Sequence, residues 1–228
     1  MKKKRFTAMF LAAAVFCMTA LSGCSQGQGD VASEKEITIA INSETGTLDP
    51  AGSIALTYLA YSVSALDELL TFDENGEIEY RAAESYEVNE DSTQWTFHLR
   101  EDALWSDGTP VTAADFLNTI RRALDPASGS GYAVYLFPIE NAEEIYDQEA
   151  SVDTLGVDTP DDHTLVFRLE EPCVYFLDLL RLPVYTPSCA KYADSVDSGW
   201  DKDPETSLAN GPFMRAGCVP GQSVVLEE

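Results

Sequence analysis

The sequence predicts a mixed α and β fold without regular βαβ alternation. Three observations carry that expectation. Residues 94–100 and 164–170 alternate apolar and polar side chains, the period of a half-buried strand. Residues 54–70, and the segment after Thr112, instead repeat apolar residues every three to four positions, the period of a helix with one buried stripe. Asp-Gly and Asn-Gly pairs sit between such segments, where tight turns need them. At 45% hydrophobic and 10% aromatic residues, the chain can fill a packed core and does not read as disordered.

The first segment is not part of the fold. Lys2, Lys3, Lys4 and Arg5 precede an apolar run from Phe6 to Leu21, too short and wrongly flanked for a spanning helix, so residues 1–23 read as a secretory signal. Its end, Leu21-Ser22-Gly23-Cys24, resembles the bacterial lipobox. By that resemblance Cys24 is lipidated and anchors the protein to the membrane, on its extracellular or periplasmic side. Residues 24–36, rich in Ser, Gln and Gly, read as a flexible tether.

Each later element has its own signal. Ile37–Ile41 alternates as a strand, and Thr47-Leu48-Asp49-Pro50 turns away from it. The stripe of Leu56, Leu59, Ala60, Val63, Leu66, Leu69 and Leu70 predicts a helix over 54–70. Asp73-Glu74-Asn75-Gly76 is a hairpin turn. In 94–100, Trp95, Phe97 and Leu99 share one face. Asp107-Gly108-Thr109-Pro110 makes a turn, and Thr112 caps the next helix, with Asp115 three residues on as a near capping box. Phe116, Leu117, Ile120, Ala123 and Leu124 form that helix's apolar side. Val174–Leu182 reads as a strongly apolar helix punctuated by Pro183 and Pro187, and Ser223–Leu226 as a strand. No closing turn or cap follows that strand, so the chain is expected to be a portion of a larger protein.

Charge and chemistry narrow the function. Lys+Arg is 14 against Asp+Glu 39, a formal net charge of −25, and four of the cations lie in the leader. With no basic stripe to displace counterions, nucleic acid is excluded as a partner, and so is an anionic membrane contacted through the folded surface. Past the leader there is no second long apolar run. Cys17 leaves with the leader, and Cys173, Cys189 and Cys218 remain beside Cys24. A Cys189–Cys218 bridge and buried free thiols both fit, and the spacings match no zinc pattern. His98 and His163 each lie in or beside a strand. Acidic pairs such as Asp67/Glu68, Glu143/Glu144 and Asp161/Asp162 are what chance gives with so many carboxylates. No nucleophile elbow, zincin or phosphate-loop motif occurs. The chain is read as a non-enzyme without cofactor or metal.

The most informative stretch is Trp105-Ser106-Asp107-Gly108-Thr109-Pro110-Val111-Thr112-Ala113-Ala114-Asp115-Phe116. It resembles the signature of the bacterial extracellular solute-binding proteins of family 5, the oligopeptide and dipeptide class. Other segments agree in order: Leu48-Asp49-Pro50, Arg81-Ala82-Ala83-Glu84-Ser85-Tyr86, Trp95–Arg100, Asp162-His163-Thr164-Leu165, Glu171–Phe176 and Asn210-Gly211-Pro212-Phe213.

The resemblance implies a periplasmic-binding-protein-like fold of type II, with two lobes closing over a peptide. On that pattern residues 37–67 and 187–228 form part of the first lobe, 68–186 form an inserted domain, and the second lobe is missing. It further implies a substrate-binding lipoprotein of an ABC importer, which captures extracellular oligopeptides and delivers them to membrane permease subunits. Family members also take dipeptides, nickel complexes, haem or sugars as ligands. The backbone of Gly52, Ser53, Ile54, Ala55 and Leu56 would line the cleft and add to an extended peptide as a strand does. A portion with one lobe is expected to bind peptide weakly. A stand-alone surface interaction domain is the alternative of another class.

Overall fold

A computed structural model describes residues 47–52, 61–62, 64–193, 199–219 and 222–228. The expected leader, Cys24, the tether, the strand at 37–41 and residues 54–60 and 63 of the helix expected at 54–70 lie outside those residues.

A four-stranded antiparallel sheet organises the described chain. It comprises β3 (Ala83–Val88), β4 (Gln94–Leu99), β5 (Val157–Asp161) and β6 (Thr164–Arg168), in the order β3-β4-β6-β5. Two separate hairpins flank it in sequence. One pairs β1 (Leu70–Phe72) with β2 (Ile78–Tyr80) across the Asp73–Gly76 turn. The other pairs β7 (Met214–Val219) with β8 (Ser223–Glu227). The helices are α1 (Ala113–Leu124), α2 (Ala142–Tyr146) and the single turn α3 (Phe176–Leu179).

Alternation puts Trp95, Phe97 and Leu99 of β4, with Leu165 and Phe167 of β6, on the buried face. Aromatic rings cover that face edge-on. Phe97 meets Phe167 at 5.9 Å, Phe167 meets Phe176 at 5.3 Å, and Phe176 meets Tyr185 at 6.0 Å and 87°. Edge-to-face contact sets the positive ring edge against a negative face. The Tyr185 hydroxyl keeps its hydrogen bond by donating to the Tyr135 carbonyl at 2.9 Å.

The Trp105–Phe116 signature works as a clamp around one buried carboxylate. Gly108 takes a φ of +82°, which suits glycine because it has no Cβ. The turn brings the chain back so that Asp115 Oδ2 accepts from Trp105 Nε1 at 3.2 Å, Thr112 N–H at 2.8 Å and Thr112 Oγ1 at 3.1 Å. Its Oδ1 accepts from Ala190 N–H at 2.7 Å. Asp115 also lies in the first turn of α1, where the helix dipole favours an anion. This single side chain therefore joins the turn, the helix and the segment near residue 190.

Two expected helices end differently. The helix over 54–70 is helical at 61–62 and 64–65 but has ended before Leu70, which opens β1. Its last carbonyls are captured by a distant segment. Gly211 N–H donates to Ala65 O at 3.0 Å and Phe213 N–H to Ser64 O at 3.2 Å. The Asn210 side chain then exchanges two 3.0 Å bonds with the Asp67 backbone. Gly211 permits this approach, because a Cβ there would sit 2.9 Å from the Ala65 carbonyl carbon. Leu69 and Leu70 are buried as the stripe predicts, but on extended backbone. The second case is Val174–Leu182, where only Phe176–Leu179 is helical and Val174 is 86% exposed. Pro183 stops the segment from continuing past Leu182, and the exposed Val174 and Tyr175 bury no part of the expected apolar face. The alternating segment at 164–170 is strand to Arg168, and Leu169 makes only an isolated bridge to Ile139. Cys173 and Cys189 are buried free thiols, so no bridge forms at Cys189.

Replacing Asp115 with Ala orphans four donors, the buried Trp105 indole N–H and the part-buried Thr112 N–H, Thr112 hydroxyl and Ala190 N–H, at about 1–3 kcal/mol for each that water does not reach. Chemical denaturation should show a loss of at least about 3 kcal/mol, against about 1 kcal/mol for Trp105→Phe, which removes only one bond. Equal losses for the two variants would contradict the clamp.

Candidate functional site

The segment expected to line a ligand cleft begins at Gly52, which is half-buried. Ser53, Ile54, Ala55 and Leu56 lie outside the described residues. The residues immediately before them, 47–52, show how the segment is held.

Leu48-Asp49-Pro50 is an anchor. The Asp49 carboxylate is buried and forms a two-pronged ion pair with Arg122, near the end of α1. Arg122 Nη1 meets Asp49 Oδ2, and Arg122 Nη2 donates to Oδ1 at 2.9 Å. The same Oδ1 accepts from Ala51 N–H at 2.9 Å, so it also closes the local turn. Arg122 Nη2 further donates to Ser188 Oγ at 2.8 Å, and that hydroxyl lies 2.7 Å from Thr119 Oγ1. The Trp200 ring lies 5.9 Å from the guanidinium carbon. A planar fork with five donors suits such a buried carboxylate better than a lysine would.

Asp201 grips the same turn from the other side. Its Oδ2 accepts from Leu48 N–H at 3.0 Å and from Thr47 Oγ1. Gly52 N–H donates to Asp49 O at 3.2 Å, and a Cβ on Gly52 would meet Ser128 O at 3.6 Å. Residues 47–52 are thus held by α1 and by the segment near 200. A turn held in this way can present backbone N–H and C=O groups at a fixed angle, which strand addition to a peptide requires.

Sequence reasoning picked out Leu48-Asp49-Pro50 but read it as a turn, and missed Arg122 and Asp201 as partners. Their separations of 73 and more than 150 residues leave no local signal. The neighbouring Arg121-Arg122 pair gave no means of telling which arginine turns inward.

A polar cavity of about 230 Å³ lies elsewhere, lined by Asp67, Arg81, Arg100, Asp102 and Asn210 among others. It falls below the ~300–1,000 Å³ usual for small-molecule sites. Its arginines are engaged, Arg100 with Asp102 and Arg81 with Glu79. Burial raises the Asp67 carboxyl above its usual range. The adjoining Glu68 is pushed up from 4.5 to about 7 by burial, against the pull of Arg181 and Arg81 and with a smaller push from Asp67. His98 sits on β4, 4.0 Å from Glu87, and His163 in the β5–β6 turn. Among the described residues no three His, Cys, Asp or Glu side chains are placed to hold a metal ion. None of the described helices is long and apolar enough to cross a membrane.

Residues 77–228 match the family model described as bacterial extracellular solute-binding proteins, family 5 Middle. The periplasmic oligopeptide-binding protein OppA of Escherichia coli K12 is 37% identical over 202 residues, covering 87% of this chain and 37% of the relative. Among solved structures, the substrate-binding domain of an oligopeptide ABC transporter from Bacillus anthracis superposes with a TM-score of 0.78 at 34% identity, over 83% of this chain and 37% of that one. Haemophilus influenzae OppA in complex with the peptide RPPGFSPFR superposes with a TM-score of 0.76 at 34% identity, over 81% of this chain and 36% of that one. The chain spans just over a third of the length of these relatives.

Two outcomes follow from the geometry. Breaking one half of the Asp49–Arg122 pair, as in Arg122→Met, should cost about 3–5 kcal/mol in denaturant unfolding. Replacing both partners with apolar residues should cost clearly less than the sum of the single changes. Glu68 gives a pH signature. Its folded pKa lies above the unfolded value, so its contribution is full below about 4.5 and is lost as pH rises through about 7. The unfolding midpoint should fall across that window, and Glu68→Gln should flatten it. An unchanged slope in the variant would rule out Glu68 as the source.

Proposed function

The chain belongs to the bacterial extracellular solute-binding proteins of family 5, and on that premise we propose that it is part of the substrate-binding component of an ABC importer. The whole protein captures oligopeptides outside the cytoplasmic membrane and delivers them to permease subunits. The observation that carries this reading is the 34% identity and 0.76 TM-score shared with a relative solved in complex with a nine-residue peptide. The rigid seating of residues 47–52 by Asp49–Arg122 and Asp201 supports it. Such a seat is what a backbone-directed peptide clamp needs at the entry to its cleft segment.

In this reading Gly52–Leu56 contributes main-chain hydrogen bonds to the peptide, which favours affinity with little side-chain preference. Residues 37–67 and 187–228 belong to one lobe, and 68–186 form a domain inserted in it. Residues 1–23 direct export and are removed. Cys24 carries the acyl chains that hold the protein at the membrane, with 24–36 as its tether.

The test is uptake of a radiolabelled tripeptide by the host. Deleting the gene should abolish most of that uptake, and uptake at the parental rate would overturn the peptide reading. Growth with labelled palmitate tests the anchor separately. Label should enter the protein and vanish in Cys24→Ser, and label retained by the variant would place the lipid elsewhere.

A further inference from the structure

β7 alternates outward and inward, with Met214 and Ala216 exposed and Arg215 between them buried. An inward position on a hairpin strand normally carries an apolar residue. Here it carries a guanidinium that is only 6% exposed. Arg215 Nη1 donates to the Asp201 carbonyl at 2.6 Å. Nε and Nη2 are buried and have no hydrogen-bond partner. Those two nitrogens form one edge of the guanidinium, the edge that presents two parallel N–H donors to a carboxylate.

The hydroxyl of Ser207 nearby is also buried without a partner. Trp200, next to the carbonyl that Arg215 holds, also has a buried indole N–H without a partner. Asp201, the nearby carboxylate, has its Oδ2 taken by Thr47 and Leu48 and makes no ion pair with Arg215 within 4.0 Å. Arg122 lies against the Trp200 ring but is committed to Asp49. Tyr61 stands beside Ser207, Arg215 and Asp201. A buried donor without an acceptor is costly, and two on one cationic edge call for an occupant.

We propose that the Nε/Nη2 edge of Arg215 is a binding position for a carboxylate group, from a small carboxylic acid or from the carboxylate of a peptide. A carboxylate matches the edge in shape and charge, whereas a water satisfies at most the hydrogen bonds. The inference does not rest on the transport reading, because a free carboxylate suffices to test it.

The experiment is thermal unfolding of the purified full chain in formate and in chloride at equal ionic strength. Formate should raise the midpoint in a saturable way while chloride does not. Arg215→Leu, which keeps an apolar side chain on the strand, should lose the formate response. Arg215→Lys, which keeps the charge but not the fork, should bind formate about tenfold more weakly or worse. Trialanine and its carboxy-terminal amide identify the source. A response to trialanine that the amide lacks assigns the carboxylate to a peptide, and a response to formate alone assigns it to a free acid. Identical midpoints in formate and chloride would overturn the proposal, as would an undiminished formate response in Arg215→Leu. If the leucine variant fails to fold, the comparison of formate with chloride on the unaltered chain still decides.

Discussion

Buried charge must be matched, and α1 carries two such charges on its inward side. Asp115 sits in its first turn and Arg122 in its last. Each sign suits its end of the helix dipole, but the dipole alone is far too weak to hold a charge out of water. The chain therefore brings partners to both ends. Around Asp115 it folds the Trp105–Thr112 turn and the backbone at Ala190. Around Arg122 it folds Asp49 and Ser188. Ser188 and Ala190 are two residues apart, so one short segment is tied to both ends of the helix. In this chain the Trp105–Phe116 stretch satisfies the first of these charges, Asp115, and segments outside it satisfy the second, Arg122.

That constraint reaches the candidate ligand segment. The turn at 47–52 buries Leu48 and Ala51 in the hydrophobic core. Its geometry comes from Asp49 and Asp201, which pull it between α1 and the chain near residue 200. A substitution at Arg122 would then loosen the turn at 47–52. The sheet and its aromatic cover stand apart from this network, joined to it through the packing of α1 against β5 and the 183–185 turn.

How much was legible depended on the range of the interaction. The alternation of Trp95, Phe97 and Leu99 specifies a strand face because period two is a local property, and the face is buried as expected. The Asp107-Gly108 turn and the Thr112 cap were legible for the same reason. Leu69 and Leu70 were not, because their spacing suits a helix as well as an extended edge. Asn210 and Gly211, more than 140 residues away, settle the matter by taking the helix's last carbonyls. The Val174–Leu182 stretch shows the converse: its apolar composition favours a helix, but only Phe176–Leu179 is helical and Val174 and Tyr175 face solvent.

By itself the sequence determined the class of fold, the strands β4, β6 and β8, the turns at Asp73–Gly76 and Asp107–Pro110, and the family resemblance, since each is written in neighbouring residues. Only the tertiary structure decided that Asp49 pairs with Arg122, that Asp201 seals the same turn, and that Arg215 faces inward with an unpaired edge. The physical reason is that a carboxylate or guanidinium looks the same in sequence whether it meets water or a partner. Which it meets is settled by where distant segments of the chain come to rest.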